Sequence, residues 1–255
     1  MKSQRKKVTF LIDIAVILGL WTIISYSSEV AYRFVLPPAN VVFSELIDLT
    51  KDGVLIENIR SSLQRTLVGF SLACMTALPI GLLLGWSERL YLIFDPVIEI
   101  IRPISPIAWI PLSILWFGIG EGSKIFLIWL ISFFFIIINT INGVRTINVN
   151  LIDAARTLGA STKFIFFKVI IPAAIPNIMT GLRLGMGVSI GGVIIAEMIA
   201  AKSGIGFMME RARTVIHPSP VIIGFILIGL IGFCANLLFI KIENRLMRHR
   251  VSIRD

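Results

Sequence analysis

Six stretches of about 20 mostly apolar residues constrain this chain more than any other feature. A helix rises 1.5 Å per residue, so about 20 residues cross the ~30 Å hydrocarbon layer of a membrane. Stretches of that length lie at roughly 8–27, 66–86, 103–120, 125–143, 178–201 and 220–240. Lipid offers the backbone no hydrogen-bond partner, and helices satisfy it internally. The expected fold is therefore an all-α, polytopic bundle with about six transmembrane helices, in one domain covering residues 1–255. Only 15% of the 255 residues are charged, against about 25% in a soluble domain. No hydrophilic block is long enough to fold separately.

Two runs depart from the simplest pattern. The first, 8–27, follows Lys2, Arg5, Lys6 and Lys7 and has the charge order of a signal peptide. It is long for that role, contains Asp13 and lacks a clean small-residue cleavage site, so a retained anchor helix is expected. The third, 103–120, carries Pro103, Pro106 and Pro111. Proline frees carbonyls that only protein or a wet cavity can satisfy, which argues against a straight lipid-facing helix there.

The net charge of +9 does not indicate a nucleic-acid partner, because the cations sit in short segments between apolar runs and no basic-aromatic patch is interleaved. They indicate orientation instead. The N-terminal tail, 87–102, 144–183 and the C-terminal tail hold sixteen of the 24 Lys and Arg, and the opposite side holds eight. Positive-inside bias then puts both termini and segment 144–177 on the cytoplasmic side of a multi-pass membrane protein. Cys74 and Cys234 lie inside apolar runs and read as small buried hydrophobes.

Gly69, Ala73, Ala77, Gly81 and Gly85 recur every fourth position, as do Gly181, Gly185 and Ser189. That spacing leaves one helix face bare for close approach of a neighbour.

The longest cytoplasmic segment is the most informative. Leu151, Ala154, Ala155 and Leu158 fall at i, i+3, i+4 and i+7 of a short helix. Asn150 is placed to cap it, Asp153 to return a bond near its positive end, and Gly159 to end it in a left-handed conformation. Ser161 then begins a second short helix, Thr162 to Ile171, which Pro172 is expected to stop. Two short helices at a fixed angle suit a knob inserted into a partner's groove.

Asp153-Ala154-Ala155, Gly159 four residues later, and Val169, Ile171 and Pro172 resemble the EAA…G…I-x-L-P loop of binding-protein-dependent ABC importer permeases. Leu36-Pro37-Pro38, Arg102-Pro103-Ile104-Ser105-Pro106, Leu115-Trp116-Phe117-Gly118-Ile119-Gly120, Asn139-Thr140 and Ala196-Glu197-Met198 extend the resemblance from about Leu36 to Arg248. They point to the subgroup importing nitrate, sulfonates, taurine, bicarbonate or pyrimidine precursors. Two positions depart: Asp153 replaces the usual Glu, which keeps the charge, and Ala39 stands where a second proline is common. The resemblance implies a non-catalytic permease whose loop residues Asp153, Ala154, Ala155, Leu158, Gly159, Ala160 and Pro172 dock on an ATPase. Its implied partners are two ATP-binding subunits, an external solute-binding protein, a second permease copy (a homodimer is expected) and membrane lipid. ATP and Mg belong to the ATPase, and this chain binds no cofactor. In keeping with that, the sequence has no phosphate-cradling G-x4-GK-[ST] loop.

Polar groups within the spans are candidates for a translocation path, because they are costly in lipid and turn toward a bundle interior or cavity. They are Ser132, Asn139 and Asn142 in the fourth run, Ser105 and Trp109 beside the proline breaks, Arg102 below them, and Glu197 toward the outer end of the fifth. Asn139 and Asn142 either bond across helices or line a path, and Arg102 either snorkels to the interface or faces an anionic cargo. His217 and His249 lack ligand-spaced partners, so no metal site is expected. The rival function is an ion-coupled secondary transporter, which calls for inverted repeats and mid-membrane carboxylates; neither stands out.

Overall fold

In the computed structural model, which describes residues 16, 19–26 and 36–247, the small-residue faces organise the bundle. Helix α2 (Val54–Trp86) lies along α5 (Glu121–Arg145), and α5 along α8 (Ile171–Ala200). Ala73 and Ala77 are wholly buried. A Cβ added at Gly81 would stand 2.8 Å from that of Thr140, and one at Gly69 2.7 Å from that of Ile128. On α8, a Cβ at Gly181 would stand 2.7 Å from that of Asn139. Lipid tails remove the hydrophobic drive between helices, so this close dispersion contact is what holds them together. Phe70, Leu84, Ile136, Ile137 and Ile141 fill the α2–α5 seam.

Around this three-helix spine stand α1 (Ala39–Lys51), α3 (Glu88–Ile101), α4 (Ile110–Phe117), α6 (Val149–Thr157), α7 (Thr162–Ile165), α9 (Ile205–Thr214) and α10 (Pro218–Met247). Single helices long and apolar enough to cross a membrane are Val54–Trp86, Glu121–Arg145, Thr162–Ile199 and Pro218–Arg245. A fifth crossing is available if the bent pair Glu88–Ile101 and Pro106–Phe117 counts as one. The expected span 8–27 falls largely outside the described residues. Its helical residues 19–26 are tied to the turn before α1, where Trp21 Nε1 donates to Pro37 O (3.0 Å) and Ser25 Oγ to Leu36 O (2.9 Å).

The proline break expected in 103–120 is present, but that run is not a span by itself: the chain bends by 93° between α3 and a 3₁₀ turn at Pro106–Trp109, and α4 has eight residues. Ser105, which precedes Pro106, is extended at φ −56° and ψ 136°, as the proline ring requires. Helix α2 begins at Val54, twelve residues before the expected 66: Asn58, Ser62 and Arg65 on one face bond to α5, α8 and the start of α9, while Glu57 and Arg60 on the other stay exposed. Nor does Pro172 stop a helix. A π turn at Phe166–Ile170 leads directly into α8, and the helical path from Thr162 to Ile199 continues through Pro172.

Candidate functional site

Three places concentrate chemistry. The first is the knob formed by α6 and α7. Asn148, not Asn150, caps α6, its side chain accepting from Asn150 N at 3.0 Å. The helix thus starts earlier than the sequence suggested, and Asp153 accepts from Arg156 Nη1 at 3.3 Å instead of returning a capping bond. Gly159 has φ +78°, its N–H reaching Arg156 O (2.9 Å) while Ala160 N reaches Ala155 O (3.0 Å). These are the paired bonds of a left-handed helix stop.

The expected apolar stripe divides between two directions. Ile152, Ala155 and Ala160 pack inward on the buried cluster Val144, Ile165, Ile170 and Ala174. Leu151, Ala154 and Leu158 remain exposed, Leu158 by 88%. Tertiary packing of a nine-residue helix against α7 and α8 decided which face turned in; periodicity alone did not distinguish Ala155 from its neighbours. The knob is therefore anchored by one face and presents apolar groups on the other.

The second place is a cavity of about 370 Å³ bounded by the α3–α4 break, α5 and α8. It gathers three of the seven expected path residues: Arg102, Trp109 and Asn139. Ser105 is exposed between two lining residues without lining the cavity itself, and Asn142 is exposed nearly a turn beyond Asn139. Ser132 is fully buried in the α5–α8 contact, donating to Ile128 O at 2.7 Å and meeting Ser189 Oγ. Asn139 spends one amide proton on Phe135 O at 2.8 Å. Arg102 pairs with exposed Glu99 at 3.1 Å.

Glu197 belongs to neither. It is wholly buried in a third place, a charged cluster where α2, α5, α8 and the start of α9 meet. Arg65 Nε and Nη2 donate to Glu121 at 2.6 and 2.9 Å, while Nη1 donates to Glu197 Oε1 (2.7 Å) and Ser203 O (2.6 Å). Lys124 completes the Glu121 side at 2.8 Å. Ser62 Oγ and Gly206 N donate to Glu197 Oε2 at 2.8 and 3.0 Å. Asn58 Oδ1 accepts from Gly204 N (2.6 Å), and Ser62 Oγ from Ile205 N (2.8 Å). The first N–H groups of α9, orphaned by helix geometry, are thus capped from other helices. Gly204, at φ +124°, is required because a Cβ there would collide with the Glu197 carboxyl.

Sequence reasoning named Glu197 but missed its partners. A signal was present: Asn58, Ser62 and Arg65 precede Gly69, Ala73, Ala77 and Gly81 at spacings of four and three. The polar residues continue the face that α2 presents to α5 and α8.

A helical bundle with several membrane-length spans, an exposed apolar-tipped knob and a cavity between spans is the architecture of a transport permease. The comparisons agree: residues 77–248 match the model of the "binding-protein-dependent transport system inner membrane component" family, and the chain belongs to that family. A putative ABC transporter permease protein of Methanocaldococcus jannaschii is 43% identical over 203 residues, covering 78% of this chain and 76% of that one. The taurine transport system permease protein of Escherichia coli is 35% identical (91% and 86% covered), and the nitrate import permease protein of Leptolyngbya laminosa 33% identical (96% and 90%). Among solved structures, an inward-facing methionine ABC transporter gives a TM-score of 0.62 at 22% identity, covering 74% of this chain and 95% of its own. An amino acid ABC transporter gives 0.65 at 20%, covering 78% and 97%. These two share the fold.

Proposed function

We propose that this permease is the membrane-spanning, non-catalytic subunit of an ATP-driven importer whose cargo is a small anion delivered by an external binding protein. Two copies of the chain enclose the path, and two ATP-binding subunits dock on the α6–Gly159 knob from the cytoplasm, where ATP and Mg are used. Both termini and segment 144–177 face the cytoplasm, and Arg65, Glu121 and Glu197 lie at the outer end.

The observation that carries this proposal is the knob: an apolar tip of Leu151, Ala154 and Leu158 on a helix whose opposite face is packed into the bundle. Exposed leucine beside a rigid glycine stop has no function in an isolated chain, whereas a groove on a partner would bury it. Packing through Ile165 and Ile170 continues into the π turn and α8. Movement of the knob would thereby reach a membrane helix, and rocking of the bundles gives alternating access. For the cargo, the support is the relatives' names together with Arg102 and Asn139 in the cavity lining.

The test is reconstitution. The tagged chain, co-expressed with the ATP-binding subunit, should retain it through purification, and loaded binding protein should stimulate ATP hydrolysis in liposomes. A chain that purifies folded and without any ATP-binding partner would count against the proposal.

A further inference from the structure

The lining of the 370 Å³ cavity discriminates among anions. Trp109 comes from the 3₁₀ turn, Phe134 and Phe135 are adjacent on α5, and Leu184 stands opposite on α8. Among the lining residues Arg102, Asn139 and the indole N–H of Trp109 supply the polar groups, and Asn139 has already committed one donor to its own helix. The Arg102 partner, Glu99, is exposed and does not line the cavity, so an incoming anion can compete for the guanidinium.

We propose that this cavity receives an aromatic organic anion, an arenesulfonate or arenecarboxylate, with its ring among Trp109, Phe134 and Phe135 and its charge toward Arg102. The inference rests on the proposed importer function and narrows its cargo. A small inorganic oxyanion entering here would exchange a full hydration shell for three polar side chains in an otherwise apolar lining, a costly desolvation. A zwitterion such as an aminosulfonate would bring an ammonium to a lining that holds no carboxylate. An aryl anion needs only one cationic partner and contributes ring contacts of the edge-on and offset kind that aromatic walls favour. The volume also lies within the range of about 300–1,000 Å³ found for small-molecule sites, generous for an inorganic ion.

The probe is benzenesulfonate, with ethanesulfonate, taurine and nitrate as comparators. The assembled transporter carries Ile131→Cys, a lining position, with Cys74→Ala and Cys234→Ala to remove the other thiols. Benzenesulfonate should slow maleimide labelling about tenfold at concentrations where the three comparators leave it unchanged. Trp109→Ala should raise the concentration needed about tenfold. Arg102→Gln should abolish the preference for benzenesulfonate over neutral benzyl alcohol. Equal protection by taurine or nitrate, or none by benzenesulfonate, overturns the proposal. So does a thiol blocked in liposomes without ligand but open in detergent, which would assign the cavity to a lipid chain. Protection that persists in a chain that retains no ATP-binding subunit would leave the cavity ligand standing while the importer function falls.

Discussion

Arg65 offers a quantitative test of what holds α2, α5, α8 and α9 together where they meet. Its side chain is 7% exposed and faces Glu197, which is wholly buried. Substituting Arg65→Ala removes the cation but leaves the carboxylate in place, sustained only by Ser62 and Gly206 N. Breaking a buried pair by deleting one partner costs about 3–5 kcal/mol, because the stranded charge cannot recover its hydration. For a chain of this size, 1 kcal/mol corresponds to about 2–4 °C, so the melting temperature should fall by roughly 6–20 °C. The Arg102–Glu99 pair gives the contrast. Both of those side chains are more than half exposed, so Arg102→Ala should cost less than about 1 kcal/mol. Adding Glu197→Gln to Arg65→Ala should recover part of the loss, since the amide oxygen can still accept from Gly206 N without a charge to strand. The assay is thermal unfolding in detergent, followed by fluorescence and size-exclusion chromatography. Equal melting of Arg65→Ala and Arg102→Ala, or no recovery in the double variant, would refute the assignment of the cluster as the clasp between α2, α8 and α9.

Further outcomes follow from the same geometry. Asn58→Ala should cost about 1–3 kcal/mol by leaving the Gly204 N–H buried without an acceptor, read as faster proteolysis between α8 and α9. Gly81→Leu should abolish stable accumulation, because even a Cβ there reaches within 2.8 Å of Thr140; wild-type levels in membranes would contradict close α2–α5 packing. Gly159→Val should insert and accumulate normally yet lose ATP-dependent uptake, since φ +78° strains any β-branched residue by about 1 kcal/mol or more. Cysteines at Asp52 and Ser161 should be reached by an impermeant thiol reagent from outside and inside the cell respectively; external labelling at Ser161 would reverse the proposed orientation.

The bundle was legible in the sequence because two of its determinants are local. Hydrophobic length marks spans, and small residues at a spacing of four mark the faces that touch, so Gly69 through Gly85 and Gly181 through Gly185 could be read directly. What stayed hidden depends on contacts remote in sequence. The α2 start at Val54 follows from Asn58, Ser62 and Arg65 finding acceptors and donors more than 130 residues away. The same polar residues, read locally, belong outside a membrane. Pro172 misled because a π turn immediately precedes it, and the helix runs on through the proline instead of ending there. Asn148 and Asn150 are equally good caps by composition, and the packing of Ile152 and Ala155 settled the register. Of the path candidates, Arg102, Trp109 and Asn139 converge because the proline break lays the 3₁₀ turn and α4 against α5, a bend that proline content announces without giving its angle.

In the proposed assembly the α6–Gly159 knob is where an ATP-binding subunit engages this permease. Leu158, 88% exposed at the tip, allows that to be tested by contact alone. With Cys74→Ala and Cys234→Ala as background, Leu158→Cys should form a short-linker cross-link to the co-expressed ATP-binding subunit, and nucleotide should change its yield. A cysteine at Leu115, exposed on α4 far along the chain from the knob, should not. A Leu158→Cys thiol that reacts freely with small maleimides in the assembled transporter, yet never cross-links to that subunit, would contradict the claim.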